Sequence, residues 1–553
     1  MSSARVILRL LVVLLVATAI TVAFADPIDP IQNPSGTGVV PDPTTSTTVP
    51  ECGPGHVTAA TVVDSDPSRL SIAVSRLGFL CADTVVVASG ADAVLMAGAQ
   101  LAAAAGGPLL VASEDTEAVS EEIVRLNAGV VYIVGDSLPR LPGGTEARSL
   151  AIEEAIAETS HLLHGAPVLQ ATGPLSLART IVATVNESAV LSGAIEVNVA
   201  ADASWVATYA PTTATVWLAD GSRPDLVAPV LAAAATRNET VLLVDPLDLR
   251  TPHSTVSALR RISPSATVVV GDFEPGLLEW QVPALTSAPE LPGGGLVFYP
   301  GRRLVALYGN PTTSALGVLG EQSAEESVRR VMEIALGYDA DGVPILPTFE
   351  IIATVASASA GSDNDYSEEM SLDTLRPWIE VAQENGVYVI LDLQPGRTDF
   401  LTQAKRYEEF LRMPHVGLAL DSEWRLEPDQ VHLRQIGSVD ATEINTVVEW
   451  LAALVRDQNL PQKYLLLHQF RLDMITNRHQ VNTPPELAVV IQMDGQGPLP
   501  TKYDTWNALT AGTENAGFTW GWKNFYDEDT PRGGATAEEV LDLDPVPGYV
   551  SFQ

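Results

Sequence analysis

Positive charge is what this 553-residue chain has least of: 31 Lys and Arg face 68 Asp and Glu, a formal charge of -37. A nucleic-acid partner requires a basic face, so that class is excluded. Plain electrostatic attraction to anionic lipids or polymers is disfavoured for the same reason. Cysteine occurs twice, at Cys52 and Cys81, while His253, His415, His432, His468 and His479 are scattered, so the spacing of a zinc site is missing. Phosphate and dinucleotide loops are missing too, since GADAVLMAG lacks the glycine spacing, and no Gly-x-Ser-x-Gly marks a serine hydrolase. No cofactor is therefore expected. What the chain does have is apolar material: 46% hydrophobic and 18% charged residues describe a globular protein with ample core, in two to four domains.

The first 25 residues carry two early arginines, a long apolar run and Ala23-Phe24-Ala25, which fits a secretory signal with a small-residue cleavage site. The run is also just long enough to span a bilayer, so a membrane becomes a partner only if this segment stays uncleaved. Residues 26–50 are Pro, Thr, Ser and Gly with few large apolar groups, a composition too poor in burial to offset ordering entropy, and read as a tether. Export places Cys52 and Cys81 in an oxidising compartment, where an even pair predicts one disulfide worth roughly 3 kcal/mol by loop entropy. Two unrelated buried thiols are the alternative.

From Val57 to Asp136 the segments ADTVVVASG, PLLVAS and VVYIVGD alternate with Ala-rich or amphipathic helical stretches. Continuous Val, Ile and Leu runs of this kind indicate parallel strands covered on both faces. The same order returns in TATVWLADG, RPDLVAPVLAAAATRN, ETVLLVDP, TPHSTVSALRRISP and SATVVVGD, ending on the same Val-Gly-Asp at Val270-Gly271-Asp272. Two homologous units result, at 51–140 and 141–284, with residues near 141–202 supplying a connector and the second unit's leading helix. The succession SRLSIAVSRL…ADTVVVASGADAVLMAGAQLAAAAGGPLLVAS…VYIVGD resembles the cell wall-binding repeat type 2 modules of Gram-positive and actinobacterial surface proteins. That resemblance implies small flavodoxin-like α/β units, attachment to a cell-wall polymer, and a secreted or wall-associated location. A repeat scaffold that binds nothing is the alternative.

Pro and a Gly triplet within residues 285–300 mark the next boundary. Beyond it, in residues 296–553, eight apolar segments alternate with stretches of helical periodicity, the count of a (β/α)8 TIM-type barrel. The segments are RLVALYGNP, VPILPTFEIIATVAS, VYVILDLQPG, VGLALDSEW, KYLLLHQF, LAVVIQMDGQG, GFTWGWKNFYD and GYVSFQ. The last helix looks short or absent.

Reactive groups of such barrels sit at the C-terminal ends of the strands. Here those ends hold Tyr308 and Asn310, Glu350, Asp392, Asp421 and Glu423, His468 and Gln469, Asp494, then Trp520, Trp522 and Lys523. With Gly417 and Ala419 facing the barrel axis, alternation predicts that Asp421 and Glu423 also face inward, one above the other. Paired carboxylates raise one another's pKa and keep a proton available, the requirement for cleaving a glycosidic bond. The Asp-x-Glu ending is similar to that of family 18 chitinase-like and family 25 lysozyme-like barrels, which implies Glu423 as the acid and Asp421 as its orienting or charge-stabilising neighbour. Asp392 and Asp494 are the candidate second carboxylates. His468, Gln469, Trp520, Trp522, Lys523, Asn310, Tyr308 and Glu350 would line the substrate, the tryptophans by stacking on sugar rings.

Duller readings stand beside these. Asp421 and Glu423 could pair with Lys523 or Arg397 as an electrostatic plug, His468 could be a core histidine, and the tryptophans could be filling. Calcium on GSDNDYSEE, residues 361–369, is chemically possible without EF-hand spacing. The expectation is an envelope-associated protein with a glycan-cleaving barrel; the alternative is a non-catalytic surface or adhesion protein with a degenerate one.

Overall fold

A computed structural model describes residues 59–553 apart from 114–115, 137–138, 165–205, 208–214, 252 and 513–516. The signal segment, the tether, Cys52 and most of the connector between the repeats lie outside the described residues. Cys81 is not a free thiol. Among the described residues no helix is long and apolar enough to cross a membrane.

The repeated strands form two sheets of matching order. In the first, β2 (Thr84–Ala88) is flanked by β3 (Leu109–Val111) and β4 (Val130–Val134), with β5 (Glu146–Leu150) beyond β4, all parallel. In the second, β7 (Thr215–Asp220) lies between β8 (Thr240–Val244) and β9 (Ala266–Gly271), again parallel, and β6 (Val206–Ala207) adds antiparallel to β8. The initial strand β1 (Ala60–Val63) joins the second sheet, pairing with β9, rather than the first. The Ala-rich helices Asp92–Ala105 and Pro224–Arg237 share one core with strands from both sheets. Small side chains are what permit that approach: a Cβ on Gly98 would lie 2.8 Å from Ala88 Cβ.

The C-terminal part is a closed barrel of eight parallel strands. They are β10 (Arg303–Gly309), β11 (Ile345–Ala356), β13 (Tyr388–Leu393), β14 (Val416–Asp421), β16 (Lys463–Gln469), β18 (Leu487–Met493), β19 (Thr519–Asn524) and β20 (Tyr549–Phe552). β20 pairs with β10 from Leu304↔Tyr549 to Leu307↔Phe552 and closes the ring with the last residues of the chain. Three short strands decorate it: β12 (Ser367–Glu369) extends β11 antiparallel, and β15 (Val439–Asp440) pairs with β17 (Ile475–Thr476). The final helix, Ala537–Leu541, is one short turn and a half, as the sequence suggests.

Alternation along each strand separates two cores. Outward positions such as Val305, Phe349, Leu391, Leu418 and Leu467 pack under the helices, while Ala306, Ile390, Ala419, Leu466 and Val490 fill the barrel axis. The boundary segment is no loose tether, because Phe298 plugs the barrel floor, its ring centroid 5.1 Å edge-on from both Tyr388 and Tyr464. Gln462 clasps it, its backbone N–H donating to Leu296 O and its Oε1 accepting from Phe298 N. Arg250, fully buried beneath the second sheet, donates to Pro485 O of the barrel and lies 4.6 Å from the Trp280 ring centroid.

Gly417 shows how tight the axis is. A Cβ there would meet Tyr388 Oη and Tyr464 O at 2.8 Å. Gly417→Ala is expected to cost about 1–3 kcal/mol by overpacking, read as a lowered urea midpoint; an unchanged midpoint would show that the tyrosines move aside freely.

Candidate functional site

Above the apolar layers the inward positions turn polar. Tyr308, Glu350, Asp392, Asp421, His468, Gln492 and Lys523 each follow an inward apolar or small residue two positions earlier on their strands, so alternation alone gathers them at the C-terminal mouth. Asp494 stands one step above Gln492, just past the end of β18. His468 is the hub. Its Nδ1 lies 2.7 Å from Asp494 Oδ2 and its Nε2 2.7 Å from Glu350 Oε1, with Asp421 Oδ2 at 3.8 Å and Asp392 Oδ1 at 3.9 Å. Tyr549 Oη donates to Glu350 Oε2 at 2.5 Å, and Tyr308 Oη donates to Asp392 Oδ2 at 3.0 Å. Lys523 Nζ forms an ion pair with Asp494 Oδ1 at 3.0 Å and sits 3.5 Å from the Tyr308 ring centroid.

Carboxylates only accept hydrogen bonds, so a ring held between two of them at 2.7 Å on both nitrogens is satisfied best as an imidazolium. Burial opposes that charge, yet Asp392, Asp494, Asp421 and Glu350 outweigh it and raise the His468 pKa well above the usual range. Burial likewise works against ionised Asp494, but Lys523 and His468 hold it down at about 2. Asp392 is pushed up to about 6, chiefly by burial, and burial raises Asp421 well above the ordinary carboxylate range. Burial thus disfavours the charged form of Asp421, which runs against the charge-stabilising role expected of it.

Glu423 reaches the mouth by a different route from the one alternation predicts. The strand stops at Asp421, and one 3-10 turn, Ser422–Trp424, takes over. Asp421 Oδ1 caps that turn by accepting from Glu423 N at 3.1 Å, while Ser422 Oγ donates to His468 O at 2.6 Å. Asp421 therefore orients Glu423 through its backbone. Glu423 is partly exposed, its carboxylate has no hydrogen bond among the described residues, and neither Lys523 nor Arg397 pairs with it. Burial first, then ionised Asp494, lifts its pKa to about 7, against the pull of Lys523 and His468.

Other residues expected at the mouth lie elsewhere. Trp520 and Trp522 occupy outward positions of β19 and pack on Trp506 of the helix Leu499–Thr510, with Trp522 Nε1 donating to Asn524 Oδ1. The sugar-stacking role assigned to them from sequence is corrected accordingly, because the inward positions of that strand go to Gly521 and Lys523. Gln469 also points outward, donating to Arg471 O and accepting from Arg478. Asn310 is buried and spent on Ile352 O and Thr312. Gln394, at the polar end of its strand, belongs to the polar layer, and so do Tyr549 and Ser551, which were not among the expected residues. For Tyr549 and Ser551 the signal was present, since period-two alternation through β20 turns both inward. The acidic loop gathers Asp363, Asp365 and Glu369 with ligand atoms within 4.8 Å of one another, and Glu369 also pairs with Arg406 at 3.0 Å.

No family model matches this sequence, and no curated protein matches it. Among solved structures the chain is similar to Cwp6 from Clostridium difficile, with 12% identity, a TM-score of 0.32 and 61% of this chain covered. The chain spans 63% of that protein. A likeness this distant carries no weight for function.

The raised pKa of Glu423 has a consequence for stability. Its folded value, about 7, exceeds the ordinary 4.5. The folded state therefore holds this proton where the unfolded state has released it, and stability is lost as pH rises through that interval. Glu423→Gln removes the titration. The variant is expected to melt above the wild type near pH 8 and level with it near pH 4; identical melting points at both pH values would show that Glu423 titrates as a free carboxylate.

Proposed function

We propose that this is an exported envelope protein whose two repeated α/β units, read as flavodoxin-like wall-binding modules, hold it to a cell-wall polymer while the barrel cleaves a glycan. Glu423 acts as general acid, and Asp494 supplies the fixed negative charge that an oxocarbenium-like transition state requires. The observation that carries this reading is the opposite tuning of these two carboxylates: one partly open and protonated to about pH 7, the other held ionised by Lys523 and His468. Two acids in one mouth with pKa values driven apart are the ordinary arrangement for acid and charge roles.

A second reading has its own observation. Glu350, Asp392, Asp421 and His468 are sealed from solvent, with His468 bonded between Glu350 and Asp494 and Lys523 paired with Asp494. That suits a rigid mouth that binds sugar without cleaving it. Incubating the full chain with purified peptidoglycan and a panel of wall polysaccharides separates the two. Release of soluble sugar supports the hydrolase; retention on the polymer with no release supports the binding module. Silence in both sinks the glycan reading altogether.

A further inference from the structure

An aromatic wall starts at the residue after Glu423. It is built by the loops that follow β11 and β14, with Arg397 from the loop after β13 packed against it. Trp424 meets His432 at a ring-centroid distance of 5.2 Å and an angle of 66°, and His432 meets Tyr366 at 6.4 Å and 79°. Crossings this close to perpendicular leave no ring of the three stacked flat upon another. All three residues are partly exposed. The Trp424 indole N–H and the Tyr366 hydroxyl have no hydrogen-bond partner among the described residues, and neither is sealed from solvent. Both are open to a ligand.

The three loops are tied into one rim. Tyr366 has a φ of 65°, a left-handed backbone that is an outlier for a bulky residue. Arg397 N donates to Asp365 O at 2.7 Å, and the Arg397 guanidinium lies 4.4 Å from the Tyr366 ring centroid. His432 Nε2 donates to Tyr366 O at 2.9 Å, Arg397 Nη2 to Gln430 O at 2.8 Å, and Leu426 N to Gly396 O at 2.7 Å. Gly437 N fixes the turn itself by donating to Glu423 O at 2.7 Å. Strain of the kind seen at Tyr366 persists only where the surroundings over-determine it, and it collects at ligand clamps.

We propose that Trp424 and Tyr366 form the platform on which successive pyranose rings of a neutral glycan lie as the chain enters the mouth toward Glu423. The proposal rests on the glycan reading above and names the residues that select the chain. A ring with equatorial hydroxyls has flat C–H faces for the aromatic rings and a rim of hydroxyls for the two unmet polar groups. An apolar protein surface would bury the indole N–H and the phenol unpaired. An anionic partner would find the Arg397 guanidinium already spent on Gln430 O and the Tyr366 ring.

Titration calorimetry of the full chain with β-1,4-linked glucose dimers and tetramers, and with a β-1,4-linked galactose tetramer, tests this. The glucose tetramer is expected to bind tighter than the galactose one, whose axial bonds break the flat face. Trp424→Leu is expected to lose about tenfold in affinity for the glucose tetramer, the usual loss for an aromatic anchor, while Trp424→Phe keeps most of it. That contrast between two apolar replacements is one a merely structural role would not give. Tyr366→Ala, at the far end of the wall, is expected to weaken the tetramer and leave the dimer unchanged. Equal affinity of Trp424→Leu and wild type, equal loss in Trp424→Phe and Trp424→Leu, no preference for glucose, or binding of no tetramer overturns the proposal. The two readings fail separately: release of wall sugar by Trp424→Leu at the wild-type rate and affinity sinks this inference alone. Tetramer binding that follows the expected pattern without any cleavage sinks the hydrolase alone.

Discussion

Glu423→Gln is expected to abolish sugar release, lowering kcat by about 10²–10⁴-fold, the usual contribution of a positioned general acid. The amide keeps the shape of the carboxylate and removes its transferable proton. Nothing in the surrounding fold depends on that proton, because the Asp421 cap engages the backbone of Glu423 and not its side chain. Binding of the glycan should therefore survive the change. The diagnostic is a fall in kcat with KM nearly constant, combined with the gain in stability at alkaline pH expected of the same variant. A loss confined to KM would make Glu423 a binding residue. Unchanged release would exclude it from the chemistry and move attention to Asp494. An ill-solvated carboxyl persists at the mouth for a physical reason: the environment that makes it costly to ionise is the one that keeps its proton available.

His468→Leu is expected to cost the barrel about 3–5 kcal/mol at neutral pH, the penalty for stranding buried charges by deleting their partner. Leucine fills a similar volume, so the loss reports charge and not a cavity. Glu350 and Asp494 would each lose a 2.7 Å hydrogen bond, and Asp392 and Asp421 would lose the nearest positive charge. The penalty should shrink as pH falls, since Asp392 protonates near 6 and no longer needs compensation. Urea unfolding at pH 7 and pH 5 measures both parts. A small, pH-independent loss would show that His468 is neutral and packed as an ordinary core histidine. In that case Asp494 would rest on Lys523 alone.

Much of this architecture is written in hydrophobic period. The eight apolar segments become the eight barrel strands, and the terminal GYVSFQ closes the ring, because a buried parallel strand must be a short continuous apolar run whatever lies around it. The repeated α/β units are legible for the same reason, and both assume one strand order. The destination of β1 is not legible. Its four residues carry no mark of which sheet they join, and in the structure they pair parallel with β9. Phe298 is similar: a boundary rich in Pro and Gly reads as a linker, and the aromatic pair Tyr388 and Tyr464 makes it a floor.

The site divides along the same line. Residue type and strand position identified Glu350, Asp392, Asp421, Glu423, His468, Asp494 and Lys523 as candidates, since polar groups at the ends of apolar strands have few other reasons to be there. Which way each one faces depends on register, and one residue's shift of parity sends Trp520 and Trp522 under a helix while Lys523 enters the mouth. The division of labour lay further still from the sequence. Asp421 and Glu423 are two residues apart and chemically alike, yet one is sealed with its pKa pushed well above the ordinary range by burial, and the other is partly open, tuned near 7 by burial and by Asp494 from a distant strand. The sequence by itself determined a repeated α/β part, an eight-stranded barrel and the list of groups that barrel carries, because periodicity and composition are local. Tertiary structure decided which of those groups meet, which keep a proton and which are spent on the fold, because desolvation and Coulomb energy depend on neighbours that only folding supplies.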